Sequence, residues 1–470
     1  MRRLHYVLIA VFAMTALLIA ACSTPEPQIV EKIVEKEVTV VVVEQVEVEG
    51  EMVEVTRVVE ETITEEIEVT VVVEKQVVND AMPIVYNSNQ SDEIPRAFDE
   101  KVVAEWNEAN PNMQVQHSTV NHEDFKQAIR AYLVAEPAPD VLTWFAGNRA
   151  RFFIDKGLIM PISDVWENEG WNESYPKGFR ALSEVDGEAY FLPISYYWWA
   201  VYYRPSIFAE VGLEVPTTWE EYLNSCDVLN EAGYIPITIG TKFRWTAAAW
   251  FDYLNMRTNG PQFHLDLMLG KESYTDDRVK ETMMHWEELF DHNCFIEDPA
   301  AYSWQEAVDP LAQGEAAMYL MGQFIQDSFP DELQDDLDFF QFPMINDVPI
   351  GEDAPTDGFF LANSAANPEG AKAFLAHLGS AEVQQQAAEE LGRLATNGNV
   401  DLSVYDDQTQ KGIELINSAD LVLQFYDRDT TPEMADIGMD GFMAFWDDPS
   451  QVDAVLEQLE AARLEIFADQ

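Results

Sequence analysis

Residues 83–144 read PIVYNSNQSDEIPRAFDEKVVAEWNEANPNMQVQHSTVNHEDFKQAIRAYLVAEPAPDVLTW, and their pattern decides the fold. Short runs of apolar and β-favouring residues predict three strands, at 83–86, 113–116 and 140–144. Helices are predicted between them, the first with apolar residues at every fourth position (Ile94, Phe98, Val102, Trp106) and the second over 124–135. Strands that alternate with helices predict an α/β fold with a mainly parallel sheet covered by helices.

Ligands of such sheets bind beyond the carboxyl ends of the strands. Loops 89–92 and 144–148 follow two of the predicted strands and are therefore expected at that edge. Asn89 and Gln90 in the first loop, and Trp144 and Asn148 at the second, are candidate ligand-binding residues. We expect Trp144 to offer a stacking surface, because it ends a strand beside glycine and asparagine; packing inside the core is the alternative.

Aromatic residues crowd the window YYWWAVYY at 196–203. A strand sends neighbouring side chains to opposite faces, so these residues cannot all belong to one core. We expect Tyr202 and Tyr203 to pack inside a second lobe, and Trp198 or Trp199 to face a cleft. Aromatic faces stack on the C–H faces of pyranose rings while polar groups bind the hydroxyls, and a pocket with an apolar lining and a few placed polar groups has this character.

A similar pair, Arg244 and Trp245, follows the short strand predicted at 235–239. We expect both residues at the cleft. Trp250, one and a half helical turns later, continues an apolar helix face with Leu254 and is expected in the core.

Several longer stretches carry a family resemblance: PDVLTWFAGN at 139–148, YFLPISYYWWAVYYRPSIFAEVGLEVPTTWEEY at 190–222, QGEAAMYLMGQF at 313–324 and DGFFLANSAANPEGAKAFLAHLGSAEVQQ at 357–385. Together they resemble the family 1 extracellular solute-binding proteins, the receptors of bacterial carbohydrate ABC importers, which are similar in architecture to maltose-binding protein. The resemblance covers nearly all of residues 82–450. Two places depart from the family pattern, Gly322-Gln323-Phe324 and Asp357-Gly358. Ligand contacts are expected at both, so Gln323 and Asp357 join the candidates and the exact sugar stays open.

The resemblance implies a two-lobe fold like that of periplasmic binding proteins, with discontinuous lobes and a hinge. Residues 82–196 and 343–395 are expected to form the first lobe, and residues 197–342 and 396–470 the second. Its implied function is capture of a sugar or short oligosaccharide between the lobes and delivery to membrane permease subunits, with no catalytic residue, cofactor or metal. The alternatives are a surface glycoside hydrolase, an adhesin, or a receptor of this fold for a non-sugar solute such as a polyamine.

Residues 1–21 predict the route out of the cytoplasm. Arg2 and Arg3 precede an apolar run that is shorter than a membrane-spanning helix, and Ile19-Ala20-Ala21 lead to Cys22. This ending resembles the bacterial lipobox, which implies cleavage before Cys22 and lipid attachment to its thiol. The protein is therefore expected outside the cytoplasmic membrane and anchored to it by lipid; a plain secretory signal is the alternative.

Residues 22–81 are expected to be a spacer. Positions 31–80 contain 18 Val and 14 Glu, a low-complexity composition rather than that of a domain. Because β-branched residues prefer an extended backbone, we expect an extended acidic segment that lifts the next domain off the membrane. The alternative is a strand or coiled-coil module that self-associates through its valine face.

Charge and cysteine content bound the remaining possibilities. The chain carries a net charge of −58, of which −48 falls in residues 81–470, and this acidity argues against a nucleic acid or an anionic lipid surface as a partner, since both need a basic surface. Cys226 and Cys294 both lie in helical patterns, which favours buried thiols over a disulfide, although an oxidising compartment would allow the bridge. His285 and His292 are seven residues apart, a spacing that does not by itself chelate a metal.

Overall fold

The computed structural model describes residues 32–48, 51–67 and 82–468. The segments before residue 81 and the chain from Ala81 onward form separate compact units. The predicted signal peptide and the predicted lipidation site Cys22 lie outside the described residues. Within the described ranges, no helix combines the length and the apolar character needed to cross a bilayer.

The valine–glutamate segment forms two strands, β1 (Lys32–Val48) and β2 (Glu51–Ile67). They pair antiparallel along their whole length, with Lys32 opposite Ile67 and Val48 opposite Glu51. The backbone of these residues is extended, but it folds back on itself, and the role of the segment as a spacer stays a prediction. Only Glu49 and Gly50 separate the strands in the sequence, which is the connection length of a tight β-hairpin.

The unit from Ala81 onward contains fourteen further strands and eighteen α-helices among its described residues. The strands are β3 (Ile84–Ser88), β4 (Val115–Thr119), β5 (Val141–Phe145), β6 (Glu184–Val185), β7 (Glu188–Ala189), β8 (Leu192–Tyr196), β9 (Trp199–Tyr203), β10 (Ile235–Ile237), β11 (Ala316–Gly322), β12 (Asp338–Phe340), β13 (Gly351–Asp353), β14 (Thr356–Leu361), β15 (Leu394–Ala395) and β16 (Leu421–Leu423). The helices are α1 (Glu93–Ala109), α2 (His122–Val134), α3 (Asn148–Ile154), α4 (Ser163–Asn168), α5 (Trp171–Ser174), α6 (Lys177–Ser183), α7 (Pro205–Val211), α8 (Trp219–Ala232), α9 (Trp245–Asn259), α10 (Pro261–Met268), α11 (Asp277–Asp291), α12 (Val308–Ala312), α13 (Pro368–Leu378), α14 (Ala381–Leu391), α15 (Asp407–Asn417), α16 (Tyr426–Asp429), α17 (Pro432–Asp447) and α18 (Val452–Ile466).

Several helices begin where the sequence offers a capping side chain. Thr218 and Glu221 form a reciprocal capping box at the start of α8, since each side chain accepts a hydrogen bond from the other residue's backbone N–H. The side chain of Asn121 caps α2 by accepting from the backbone N–H of Glu123. These caps fix the points at which the chain leaves a strand or loop and enters a helix.

The first lobe is built around a six-stranded sheet with the order β15-β8-β14-β5-β3-β4. β3 pairs parallel with both β4 and β5, as the alternating pattern predicts. β14 pairs antiparallel with β5 and β8, and β15 is antiparallel to β8. The sheet is therefore mixed rather than mainly parallel, because half of its strands come from segments that lie outside the β-α-β-α-β repeat.

The second lobe is built around a four-stranded sheet with the order β10-β11-β9-β12. Every residue of its inner strand β9 is buried, including Tyr202 and Tyr203. Trp250 on α9 is fully buried, as expected. A disulfide joins Cys226 on α8 to Cys294, with 5.3 Å between their Cα atoms, so the expectation of two buried thiols is wrong. Cys294 lies beyond the end of α11, and its carbonyl accepts a hydrogen bond from Ile237 of β10, which brings it beside α8.

A small parallel pair, β13 and β16, lies near the passage from the second lobe to the first, since β13 leads directly into β14. Acidic side chains are buried here. Glu352 is fully buried in an ion pair with Arg257, and the buried His264 lies 3.1 Å from Asp252. Asp353 is fully buried and neither of its carboxylate oxygens has a hydrogen-bond partner among the described residues. Burial, together with the nearby Asp252, holds the pKa of Asp353 well above its usual value.

Candidate functional site

A cavity of about 120 Å³ lies between the two lobes. The first lobe contributes residues at the carboxyl ends of β3 and β5, on α2, and at the facing ends of β8 and β14. The second lobe contributes the start of β9, the start of α9, and the loops after β11 and β16. The residues that line the cavity include Asn89, Gln90, Asp92, His122, Lys126, Phe145, Tyr197, Trp199, Trp245, Trp304, Phe324, Asp327, Asp357, Arg393, Phe425, Asp427 and Arg428.

Aromatic rings form the second-lobe wall of this cavity. Trp199 is stacked on Phe425 with 4.9 Å between ring centroids, and it meets Trp245 edge to face at 6.0 Å and 90°. Trp304 contacts Phe324 edge to face at 5.0 Å. Rings held at right angles present both faces and edges to the cavity, so the wall can stack on an apolar surface of a ligand without rearranging.

Phe425 has a backbone conformation that phenylalanine rarely adopts, with φ of 133°. The residue is held there because the backbone N–H of the next residue, Tyr426, donates to the buried carboxylate of Asp252 at 2.8 Å. Such backbone strain costs roughly 1–3 kcal/mol and persists only where the surrounding structure imposes it. At this position it directs the phenylalanine ring onto Trp199.

The first-lobe wall offers hydrogen-bonding groups. Asn89 is buried, and its side-chain oxygen has no hydrogen-bond partner among residues 82–468. Burial raises the pKa of Asp92, which accepts a hydrogen bond from Gln305 at 3.2 Å. Burial, with the positive charge of Lys126 nearby, lowers the pKa of His122 well below its usual value, so its imidazole is neutral at neutral pH. A neutral imidazole both donates and accepts hydrogen bonds, which suits a hydroxyl ligand.

Arg428 lies at the centre of the charged groups of the cavity. Its guanidinium donates to Asp357 at 2.9 Å and to the hydroxyl oxygen of Tyr197 at 2.9 Å, and it lies 4.3 Å from the centre of the Phe145 ring. Burial raises the pKa of Asp357 although Arg428 acts in the opposite direction. Burial also pushes the pKa of Asp427 upward, but Arg149 at 3.6 Å, with other nearby cations, brings it below its usual value.

Hydrogen bonds and ion pairs connect the two lobes around the cavity. The indole N–H of Trp245 donates to Glu123 at 3.1 Å, and the side-chain amide of Asn148 donates to the backbone carbonyl of Asp429 at 2.5 Å. The other links are Arg428 with Asp357, Arg149 with Asp427, Arg393 with Asp327, Gln305 with Asp92, and Gln323 with the carbonyl of Gly392. This arrangement is the closed conformation expected of a two-lobe receptor.

Five of the ten candidate residues line the interlobe cavity: Asn89, Gln90, Trp199, Trp245 and Asp357. Both sheets contribute to this set, as the two-lobe interpretation requires. Of the pair in the aromatic window, Trp199 is the residue that faces the cleft.

Two tryptophan candidates lie in the cores instead. Trp144 packs against Phe125, Phe145, Phe153 and Phe360 and is 3% exposed. Trp198 is fully buried against Phe339 in the second lobe, where a side chain on Gly412 would collide with its ring.

The other three candidates lie beside the cavity rather than on its wall. Asn148 serves as one of the interlobe links described above. Arg244 lines a neighbouring cavity instead, and it pairs with Asp436 at 3.1 Å and with Asp440, both on α17. Gln323 is buried, and its amide donates to the carbonyl of Gly392 at 2.6 Å.

Sequence reasoning missed several lining residues. Tyr197 and Phe324 lie inside quoted stretches of sequence, but the pattern does not show which way their side chains point. Arg393 lies eight residues beyond the last of these stretches. Phe425, Asp427 and Arg428 occupy a short segment with no recognisable motif. Contacts with residues 71 and 231 positions away bring Arg428 to the site, and no local pattern predicts such contacts.

Comparison with known proteins identifies the class. The sequence profile of the bacterial extracellular solute-binding proteins matches residues 89–385, so the chain belongs to this family. It is a solute-binding protein of ABC transporters and acts outside the cytoplasm.

Individual relatives refine this picture. The solved structure of the bacterial solute receptor AcbH, described as having an exclusive substrate preference for β-D-galactopyranose, is 31% identical, with a TM-score of 0.77 over 82% of this chain and 99% of that one. The osmoprotective compounds-binding protein GgtB of Synechocystis sp. is 26% identical over 66% of this chain and 75% of its own length. An ABC transporter extracellular-binding protein of Pyrococcus horikoshii is 24% identical over 70% and 74%.

Proposed function

We propose that this receptor binds one pyranose sugar in the interlobe cavity. The observation that carries the proposal is the lining: perpendicular tryptophans Trp199 and Trp245 on one wall face the unpartnered oxygen of Asn89 and the neutral His122 on the other. A stacking surface opposite hydroxyl-binding groups suits a ring that has apolar C–H faces and a polar rim.

The cavity volume favours a single ring. At about 120 Å³, the enclosed space lies well below the roughly 300–1,000 Å³ of pockets that bury drug-sized ligands. Support also comes from AcbH, the relative at 31% identity, whose described ligand is a monosaccharide.

The charges of the cavity argue against a polyamine as the ligand. Arg428 pairs with Asp357, and Arg393 pairs with Asp327, so two of the lining carboxylates are already neutralised. Asp427 lies near Arg149. A polycation would have to displace these protein cations from their partners, whereas a neutral sugar leaves them in place.

The remaining parts of the proposal concern transport. A closed lobe pair that encloses the sugar is presented to the permease subunits of the ABC importer, and lipid on Cys22 holds the receptor at the membrane. The sugar leaves unchanged, because the protein is a receptor rather than a glycoside hydrolase.

A thermal-shift panel of free monosaccharides and disaccharides tests the proposal, with D-galactose examined first and isothermal calorimetry on every hit. Binding to the folded state raises the apparent melting temperature by mass action. We expect stoichiometric saturable binding of a monosaccharide, with the sugar recovered intact after overnight incubation. Release of a cleaved product would establish the hydrolase alternative, and tight binding of disaccharides alone would contradict the single-ring proposal.

A further inference from the structure

A second, smaller cavity adjoins the sugar cavity inside the first lobe. Its volume is about 70 Å³. The two cavities share the residues at their junction: Asn89, Gln90, Pro95, Ser195, Asp357 and Arg393. We call this second cavity the side pocket. The shared residues, most of them polar, place the two cavities side by side, so a substituent on a ligand in the first cavity would reach the second by passing between these side chains.

Beyond this junction the lining of the side pocket is mainly apolar, and its uncharged polar residues there are Tyr86, Thr143 and Gln384. It lies between α1 and α14, which contribute Phe98, Val102 and Val103 from one helix and Val383 and Leu391 from the other. The charged group beyond the junction is Asp99, whose carboxylate accepts hydrogen bonds from the hydroxyls of Tyr86 at 2.8 Å and Ser88 at 2.6 Å. Protein donors thus already satisfy this carboxylate, and burial raises its pKa to about 6.

We propose that the side pocket receives a small apolar aglycone, so that the preferred ligand is an alkyl glycoside rather than the free sugar. The inference rests on the proposed sugar function. The two parts of a glycoside correspond to the two cavities. Its polar sugar ring matches Asn89 and the aromatic wall of the first cavity, and the apolar group on its anomeric oxygen matches the side pocket. The pocket volume suits an alkyl group of a few carbon atoms rather than a second sugar ring, whose hydroxyls would find too few partners there.

The test compares D-galactose with the methyl and isopropyl D-galactopyranosides, each glycoside as α and β anomer, by isothermal calorimetry. Added methyl groups in a hydrophobic pocket improve binding by about tenfold or more. We expect one isopropyl anomer to bind at least tenfold more tightly than D-galactose and more tightly than its methyl counterpart. Equal or weaker binding of both isopropyl anomers, with D-galactose bound, would overturn this inference and leave the proposed function intact.

A pocket-filling variant makes the test specific. Ala387 on α14 lines the side pocket, so Ala387→Leu should remove the gain for isopropyl while leaving the affinity for D-galactose within about twofold. Ala376→Leu on the adjacent α13 is the matched control, since Ala376 is half-buried but lines neither cavity.

A second variant, Val103→Ala, enlarges the side pocket, so the phenyl glycoside should also bind more tightly than the free sugar. This variant tests the inference if Ala387→Leu does not fold. A gain that survives Ala387→Leu and is unaffected by Val103→Ala would place the aglycone elsewhere and refute the inference. Failure of every sugar and glycoside to bind would overturn the proposed function and this inference with it.

Discussion

Replacement of Trp245 by alanine tests the sugar site most directly. Trp245 is 9% exposed in the closed form, and it meets Trp199 edge to face on the cavity wall. Truncation of a buried aromatic anchor in a binding site costs about 2 kcal/mol or more, which is roughly thirtyfold in affinity. The same change removes the indole N–H that donates to Glu123 across the cleft, so closure also becomes less favourable.

The expected result is a loss of sugar affinity of at least about tenfold with a decrease in melting temperature of only a few degrees. Trp245 contributes at the boundary between two lobes that separate on opening, whereas truncation of a tryptophan inside a permanent core costs about 3–5 kcal/mol of stability. Calorimetry gives the affinity, and differential scanning calorimetry gives the melting temperature. Intrinsic fluorescence should respond to sugar in the wild type and respond less in the variant.

Trp250→Phe is the matched control, because Trp250 lies on the same helix, is fully buried, and does not line the cavity. It should lower the melting temperature and leave affinity nearly unchanged. Trp245→Phe keeps a ring on the wall but loses the bond to Glu123, and an intermediate affinity is expected. If Trp245→Ala unfolds the protein, or binds sugar as tightly as the wild type, the stacking role assigned to this residue is wrong.

Four further predictions concern the rest of the chain. Cys22→Ala should abolish labelling by a palmitate analogue, and persistent labelling would contradict lipid attachment at this residue. Removal of residues 31–78 should leave sugar affinity unaltered by calorimetry, because that segment belongs to a separate unit; a large loss would show that it takes part in binding. Thiol titration of the unfolded, unreduced chain should find no free thiol from Cys226 or Cys294, and two would disprove the bridge. Asp353→Asn should raise the melting temperature by a few degrees at pH 8 and give no gain near pH 4. The reason is that folding raises the pKa of this carboxyl, so the carboxyl stabilises the fold only while it is protonated and loses that contribution as pH rises. Equal shifts at both pH values would count against this account.

The sequence predicted the fold where the signal was local. Residues 83–145 repeat strands and helices with clear periodicity, and the structure contains β3, α1, β4, α2 and β5 in that order within a few residues of the predicted bounds. β14 was not predicted in this sheet. Its place there depends on pairing with β5, more than two hundred residues away in the chain, and pairing over such distances leaves no periodic trace.

The sequence predicted which segments reach the candidate site, but not which of their side chains line it. Trp144 was chosen for its position at a strand end, yet it packs in the core of the first lobe, and Phe145, the next residue, lines the cavity. The pair Trp198 and Trp199 divides in the same way, with one residue in the core and the other on the wall. Adjacent aromatic residues in a strand therefore locate a site to within one residue, and the choice between them requires the sheet register.

The closed form depends on interactions that are individually weak. Ion pairs such as Arg428 with Asp357 link the lobes, but charges that can return to water on opening contribute little net free energy to closure. The strained backbone of Phe425 raises the free energy of any conformation that contains it. The stacking of Phe425 on Trp199 is therefore maintained at a cost in free energy. A sugar that contacts both walls adds its binding free energy to the closed form alone, and a ligand can shift the population of lobes only by this difference in affinity. In the proposed function, Trp199, Trp245 and Asn89 supply that difference, because they come from opposite lobes and would meet around one ring only when the cleft is closed.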